Sequence, residues 1–195
     1  MDIRIDGAIL DITKFNLRNL RTKNDREFII RVATKPDAAG LLALGKEVMG
    51  EREFTLTEAD ELDLTVEQEE NWIQEHLDNR CKIILVAEIE NEVVGIIDFA
   101  NGHRRRIAHT GELGMSVVKQ LRGQGIGEAL LSSLLTWAKE NPTIEKVNLL
   151  VHATNERAIS LYRKLGFQEE GRRKKDLKLG PNEYVDSVLM GIWVK

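Results

Sequence analysis

ELGMSVVKQLRGQGIGEALLSSLLTWAKE, residues 112–140, sets a β-rich run, a glycine-rich turn and an apolar helical pattern in direct succession. Glu112–Val118 reads as a strand, and a helix is predicted for Glu128–Glu140. Leu130, Leu131, Leu134, Trp137 and Ala138 share one stripe of that helix, and Asn141-Pro142 is its stop signal. Between them lies Arg122-Gly123-Gln124-Gly125-Ile126-Gly127. A turn in this position aims backbone N–H groups, together with the positive end of a helix dipole, at one point, which is the arrangement that receives an anion. Its three glycines let the main chain come close to a ligand. One exposed helix terminus contributes only about 0.3–1 kcal/mol to one anion, so a diphosphate would need several amides at once.

Two familiar phosphate loops are excluded by the residues that follow. A nucleotide P-loop needs Lys and then Ser or Thr after its last glycine, and here Gly127 is followed by Glu128. The dinucleotide fingerprint needs a third glycine where Glu128 stands, and it should open a strand-helix-strand unit early in a longer domain. A glycine-rich connection that holds nothing is the remaining alternative.

Working outward, Phe28 opens a strand (FIIRVAT), and Lys35-Pro36-Asp37 introduces a helix with Leu41, Leu42, Leu44 and Val48 on one face, closed by Gly50. Thr65-Val66-Glu67-Gln68 fits a capping box for a second helix, with Trp72, Ile73, His76 and Leu77 on its inner face. Lys82–Ile89 and Val93–Ala100 read as an antiparallel hairpin turning at Glu90–Glu92, apolar enough to be buried on both faces. Beyond residue 140 come a strand at Lys146–His152, a helix at Asn155–Leu165 closed by Gly166, and a β-rich tail at Val185–Val194. A mixed sheet flanked by helices follows, because strand-helix-strand units need a crossover packed on the sheet. Residues 1–26 read as an extension with strand or hairpin character, and 27–195 as one domain.

At 195 residues and 42% hydrophobic content the chain can bury one sizeable core. Its net charge is −4, with acidic and basic residues interspersed, so no basic arm points to nucleic acid as a partner. Cys81 stands alone in an apolar run, which rules out an intrachain disulfide framework, fits a reducing compartment and suggests a buried thiol. No stretch approaches a membrane span, so the expectation is a cytoplasmic protein with no membrane partner. No His/Cys cluster has metal-ligand spacing, and no metal is expected.

Two blocks taken together resemble a known family. Arg-x-x-Gly-x-Gly at 122–127, after a strand and before an apolar helix, is similar to the acetyl-coenzyme A signature of the GNAT N-acetyltransferase superfamily. Asn155-Glu156-Arg157-Ala158-Ile159-Ser160-Leu161-Tyr162-Arg163-Lys164-Leu165-Gly166-Phe167 resembles the family's Asn-x-x-Ala-x-x-Leu-Tyr-x-x-x-Gly-Phe stretch. The resemblance covers about residues 28–194. It implies a single-domain α/β (α+β) fold with a mixed, mostly antiparallel sheet whose strands at Glu112–Lys119 and Lys146–His152 splay apart, and it implies acetyl-CoA as co-substrate. Backbone groups of Val117 and Lys119 would then align the pantetheine arm, and Gln124, Gly125, Ile126, Gly127 and Glu128 would supply N–H groups to the pyrophosphate. The Asn155 side chain would bond to the coenzyme, and Val118, Arg122, Gly123 and Ala158 complete the implied binding set. Glu128 opposes a nearby phosphate, so its carboxylate is expected to point away.

Moving an acetyl group to an amine needs a neutral nucleophile, a stabilised carbonyl oxygen and protonation of the departing thiolate. The resemblance sets Tyr162 beside the sulfur, where a phenol protonated at neutral pH can donate; the alternative is a core aromatic, since Ile159, Tyr162 and Leu165 share a helical face. Glu112 is the first candidate for the base, acting through water, against a solvated strand-end carboxylate. His109 is a second candidate, while His76 and His152 read as structural. The backbone N–H near residues 115–117 can polarise the carbonyl. Arg104-Arg105-Arg106 and Arg172-Arg173-Lys174-Lys175 read as solvated basic faces, the alternative being contact with the coenzyme's phosphates or an acidic substrate, and the acidic stretch 51–70 as surface charge, the alternative being attraction of a cationic amine to the acceptor side of the cleft. The implied partner is a small-molecule amine, an amino acid or a protein N-terminus; a homodimer is compatible with the family and with the apolar C-terminal strand. A non-catalytic module that senses acetyl-CoA is the alternative from another class.

Overall fold

In a computed structural model that describes residues 17–195 and two earlier segments, β1 (Arg4–Ile5) pairs antiparallel with β2 (Ala8–Ile9). The other strands join one sheet: β3 (Leu17–Arg21), β4 (Glu27–Val32), β5 (Lys82–Ile89), β6 (Glu92–Asn101), β7 (Thr110–Val117), β8 (Lys146–His152), β9 (Gln168–Gly180) and β10 (Glu183–Trp193). Their spatial order is β3-β4-β5-β6-β7-β8-β10-β9. β7 and β8 run parallel, and every other neighbouring pair is antiparallel. The helices are α1 (Ala38–Gly50), α2 (Val66–Leu77), α3 (Ile126–Glu140) and α4 (Glu156–Lys164).

The sheet separates two cores, and β5 shows why. Strand side chains alternate between faces, so Ile83, Leu85 and Ala87 pack into one cluster with Leu130, Leu131 and Leu134 of α3, while Ile84 and Val86 pack into another with Leu41 of α1 and Ile73 of α2. The expectation that this strand is buried on both faces holds. Trp137 of α3 packs edge-on to Phe99 of β6, with ring centroids 5.4 Å apart. Each fully buried leucine in this layer contributes roughly 1.5–3 kcal/mol.

Local chemistry fixes the ends of the elements. Thr65 Oγ1 accepts from the Gln68 N–H at 3.2 Å while Gln68 Oε1 accepts from the Thr65 N–H at 2.8 Å, the reciprocal box read from the sequence. His76 lies on the buried side of α2, with Nδ1 2.9 Å from the Trp72 carbonyl oxygen. The β5–β6 turn places Glu90 and Asn91 at φ 52° and 67°, as a two-residue hairpin connection with two left-handed positions requires. Asn141, 1% exposed, ends α3 by donating to the Arg80 carbonyl at 2.6 Å and accepting from the Thr143 N–H at 3.0 Å.

Some details differ from the sequence reading. β9 is a thirteen-residue strand over a stretch read as a solvated basic face. It is an edge strand paired with β10 alone, almost wholly exposed, so it has no apolar alternation to reveal it; its charges also guard the edge against further pairing. α3 begins at Ile126, two residues before the expected start, because the buried Ile126 already belongs to the stripe. Cys81 is partly rather than fully buried. The apolar β10 lies between β8 and β9, with Val188 and Met190 in the core and Tyr184 and Trp193 exposed. Leu17–Arg21, within the segment read as an extension with strand or hairpin character, pairs antiparallel with β4.

Candidate active site

β7 and β8 pair at Thr110–Lys146, Gly111–Val147 and Glu112–Asn148, and beyond these partners they part. Because the two strands are parallel, their remaining halves diverge toward the ends that feed the glycine turn and α4. The backbone of β7 is thereby left with an open edge. Val118 donates its N–H to the Val94 carbonyl at 3.0 Å, which puts Ser116 in a hydrogen-bonded pair with Ile96 and turns the groups of Met115 and Val117 away from β6, into the gap.

A cleft of about 690 Å³ opens there, within the usual size range of a small-molecule site. Its walls come from Met115, Ser116 and Val117 of β7, the turn at Gly123, Gly125 and Gly127, and Asn155, Ala158, Leu161 and Tyr162 at and along α4. Gly123 and Gly125 hold φ of 79° and 98°, a left-handed region that side chains resist. Gly125 is the N-cap of α3, and a Cβ placed on it would meet nothing within 4 Å. The space above the helix mouth is thus open to a ligand, and a backbone of this shape suits a diphosphate.

Of the residues singled out from sequence, the cleft gathers Val117, Lys119, Arg122, Gly123, Gly125, Gly127, Glu128, Asn155, Ala158 and Tyr162. Val118, Gln124 and Ile126 do not line it: Val118 is tied to β6, Ile126 is fully buried as an anchor, and the Gln124 side-chain oxygen is buried without a partner. The Glu128 carboxylate is drawn to Lys164, which donates to its two oxygens at 2.7 and 2.8 Å. Glu112 is exposed on β7 and is not part of the cleft wall. His109 stacks on Trp193 at 6.2 Å, away from the cleft. His152 is buried at the end of β8, edge-on to Phe54, and burial pushes its pKa down.

Tyr162 is 6% exposed and held by the end of its own helix. Gly166, at φ 98°, lets the Phe167 N–H reach the Tyr162 carbonyl at 3.0 Å and the Gly166 N–H reach Arg163 O at 3.1 Å, a Schellman closure. The accompanying apolar contact is Phe167 against the Tyr162 ring, with centroids 5.7 Å apart. The Leu-Tyr-x-x-x-Gly-Phe spacing is therefore the spacing needed to lock this tyrosine. Burial pushes its phenol up to about 12, which keeps it protonated at every physiological pH. At the other end of α4, Asn155 Oδ1 accepts from the Ala158 N–H at 3.1 Å, capping the helix and leaving the amide NH₂ for another acceptor.

Lys23, Phe54, Thr55 and Arg157, to which the sequence assigns no role, also face the cleft, as do Glu51 and Glu53 of the acidic stretch. Glu51 and Glu53, taken from the sequence as surface charge, pair with Arg122 and Lys119. Only the tertiary fold brings them there, and nothing in their local sequence signals it. Among the described residues no group of three or more His, Cys, Asp or Glu side chains is placed to hold a metal, and no helix is long and apolar enough to cross a membrane.

A parallel pair that parts beside a glycine turn at a helix mouth makes a cleft shaped for a phosphate-bearing ligand. The sequence pattern of the Acetyltransferase (GNAT) family matches residues 44–167, and the chain belongs to that family of acetyl-CoA-dependent N-acetyltransferases. It is similar to the L-amino acid N-acetyltransferase AaaT of Escherichia coli (strain K12), 33% identical over 118 residues that cover 60% of this chain and 72% of that protein. It is also similar to an N-alpha-acetyltransferase of Sulfurisphaera tokodaii, 36% identical over 49% of this chain and 62% of the relative. The crystal structure of an acetyltransferase of the GNAT family from Streptococcus pneumoniae superposes with a TM-score of 0.83 at 30% identity, covering 86% of this chain and 99% of that one. The expected class, family and mostly antiparallel splayed-sheet fold are thereby shown.

Proposed function

We propose that this chain carries an acetyl group from acetyl-CoA to the α-amine of an amino acid or a protein N-terminus, by direct attack within the cleft. The observation that carries this reading is the parting of β7 from β8 after Glu112 and Asn148, next to a turn whose Gly125 has open space above it. Amides from Gln124 to Glu128 hold the diphosphate, backbone groups of Val117 and Lys119 align the pantetheine arm, and the free Asn155 amide donates to the coenzyme. Val118, Ile126 and Ala158 act by fixing that backbone. The α-amine assignment is supported by the two relatives, an L-amino acid N-acetyltransferase and an N-alpha-acetyltransferase.

The amine nitrogen, uncharged, forms a bond to the acetyl carbon while the carbon–sulfur bond breaks. The N–H groups around residues 115–117 meet the oxygen that gains charge. Tyr162 donates a hydrogen bond to the departing sulfur. With its phenol at about 12, full transfer to a thiolate of ordinary pKa about 8.5 is uphill by roughly 5 kcal/mol, so burial favours hydrogen bonding over completed proton transfer. The amine's proton leaves through water toward Glu112. An α-amine of pKa about 8 needs roughly 1 kcal/mol to lose its proton at pH 7, against about 5 for a lysine-like amine, which suits a base outside the cleft wall. We also place the protein in a reducing, cytoplasmic setting, a reading supported by its single cysteine.

The test is a panel of amines incubated with acetyl-CoA and followed by free-thiol release. Turnover with α-amines above that with lysine-like amines is the expected result. Coenzyme binding without turnover on any amine would leave a sensing module instead.

A further inference from the structure

Four cations face the cleft near the glycine turn, and they are not equivalent. Lys119 donates to Glu53 at 2.9 Å, and Arg122 donates to the two oxygens of Glu51, so both are already neutralised. Lys23 and Arg157 have no carboxylate partner among the described residues. Both line the cleft.

Lys23 is carried by a built turn. Thr22, 5% exposed, donates its N–H to the Arg26 carbonyl at 2.9 Å and accepts from the Arg26 N–H at its hydroxyl at 3.0 Å. Asp25, at φ 63°, donates back to the Thr22 carbonyl at 2.9 Å and closes the bend. The Lys23 N–H then donates to the Gln124 carbonyl at 3.1 Å, so the β3–β4 turn is bolted to the backbone of the glycine turn. Arg157, in the first turn of α4, has Nη2 3.3 Å from where a Cβ on Gly123 would lie. One uncompensated cation thus comes from the β3–β4 turn and another from α4, with the glycine turn adjoining both.

We propose that Lys23 and Arg157 form a two-cation clamp for the phosphate groups of the coenzyme, which makes the β3–β4 turn a coenzyme-binding element of this chain. The inference rests on the proposed acetyl-CoA site. The coenzyme carries a diphosphate and a 3′-phosphate monoester, several negative charges in all, and with Lys119 and Arg122 neutralised these two cations are the ones left to meet them. Charge-assisted hydrogen bonds to phosphate are short and strong, and Arg adds a planar fork that grips two oxygens.

Calorimetric titration of the full chain with coenzyme A and with 3′-dephospho-coenzyme A tests this, using wild type, Lys23→Ala, Arg157→Ala, the double variant and Lys23→Arg. Lys178→Ala, on exposed β9, is the control. Each alanine variant is expected to bind coenzyme A about tenfold more weakly and the double variant about a hundredfold, with a shallower salt dependence, while Lys23→Arg stays within about threefold of wild type. A loss confined to coenzyme A assigns the clamp to the 3′-monoester, and an equal loss with both ligands assigns it to the diphosphate. Both alanine variants binding both ligands like wild type would overturn the clamp while leaving the coenzyme site intact. Wild type failing to bind either ligand would overturn the site itself. Melting temperatures of the variants confirm that each is folded.

Discussion

Arg122 lies in the grip of Glu51: its Nη1 and Nη2 donate to the two carboxylate oxygens at 2.6 and 2.9 Å, and its Nε donates to the Val117 carbonyl at 2.9 Å. One guanidinium thereby joins the C-terminal cap of α1, the end of β7 and the start of the glycine turn. The side chains are 20% and 11% exposed, so the pair is sheltered from solvent screening. Glu51→Ala should leave this half-buried cation with Glu53, 3.8 Å away, as its remaining carboxylate and cost about 2 kcal/mol of stability. Coenzyme affinity should fall too, because the backbone at Val117 loses its brace. A double-mutant cycle with Arg122→Ala in urea unfolding measures the coupling, and independent, additive effects would show that the pair does no such bracing.

Tyr162→Phe removes only the phenolic oxygen from a ring whose position is set by Phe167 and the Schellman closure. Coenzyme Kd should stay within about twofold, and kcat should fall about a hundredfold. Because the phenol sits at about 12, the wild-type rate should show no alkaline loss from this group below about pH 10. Unchanged kcat in the variant would return Tyr162 to the role of a core aromatic.

Asp98, half-buried on β6 opposite Gly114, has its pKa pushed up by burial to about 6 from an ordinary 3.8. A raised carboxyl pKa means the folded state holds the proton more tightly than the unfolded chain. Stability is therefore lost as pH rises from about 4 to about 6 and stays level above, and the neutral-pH cost is on the order of 3 kcal/mol. Asp98→Asn should raise stability at pH 7 and give little gain at pH 4. Urea midpoints at the two pH values decide it, and equal shifts at both would remove the ionisation argument.

Gly125→Val should fold with a loss of about 1–2 kcal/mol, since φ 98° forces a branched side chain into a strained region. The new side chain would also fill the open space at the helix mouth, so coenzyme affinity should drop at least a hundredfold. Titration of the folded variant with coenzyme A checks this, and wild-type affinity would move the diphosphate elsewhere.

How much of this was legible in the sequence follows from where the signal is local. The α2 capping box, the α3 stripe and the Leu-Tyr-x-x-x-Gly-Phe closure are written within a few residues of one another, and each is found in the fold. The exposed β9 carries no periodicity and is held by β10 alone, so it passed as a basic surface. The pairing of Glu51 with Arg122 joins residues 71 apart in the chain, and the docking of Lys23 on Gln124 is as remote; only the assembled sheet brings them together. Glu112, read as opening the strand toward the cleft, is the third residue of β7, exposed and outside the cleft wall, because the strands are still paired at that point and part only after it.

The most direct measurement is a crystal structure with coenzyme A bound. Diphosphate oxygens within hydrogen-bond distance of the N–H groups between Gln124 and Glu128, and the pantetheine arm lying along the free edge of β7, are expected. Coenzyme lodged at another surface, with the Gly125 turn unengaged, would contradict the assignment.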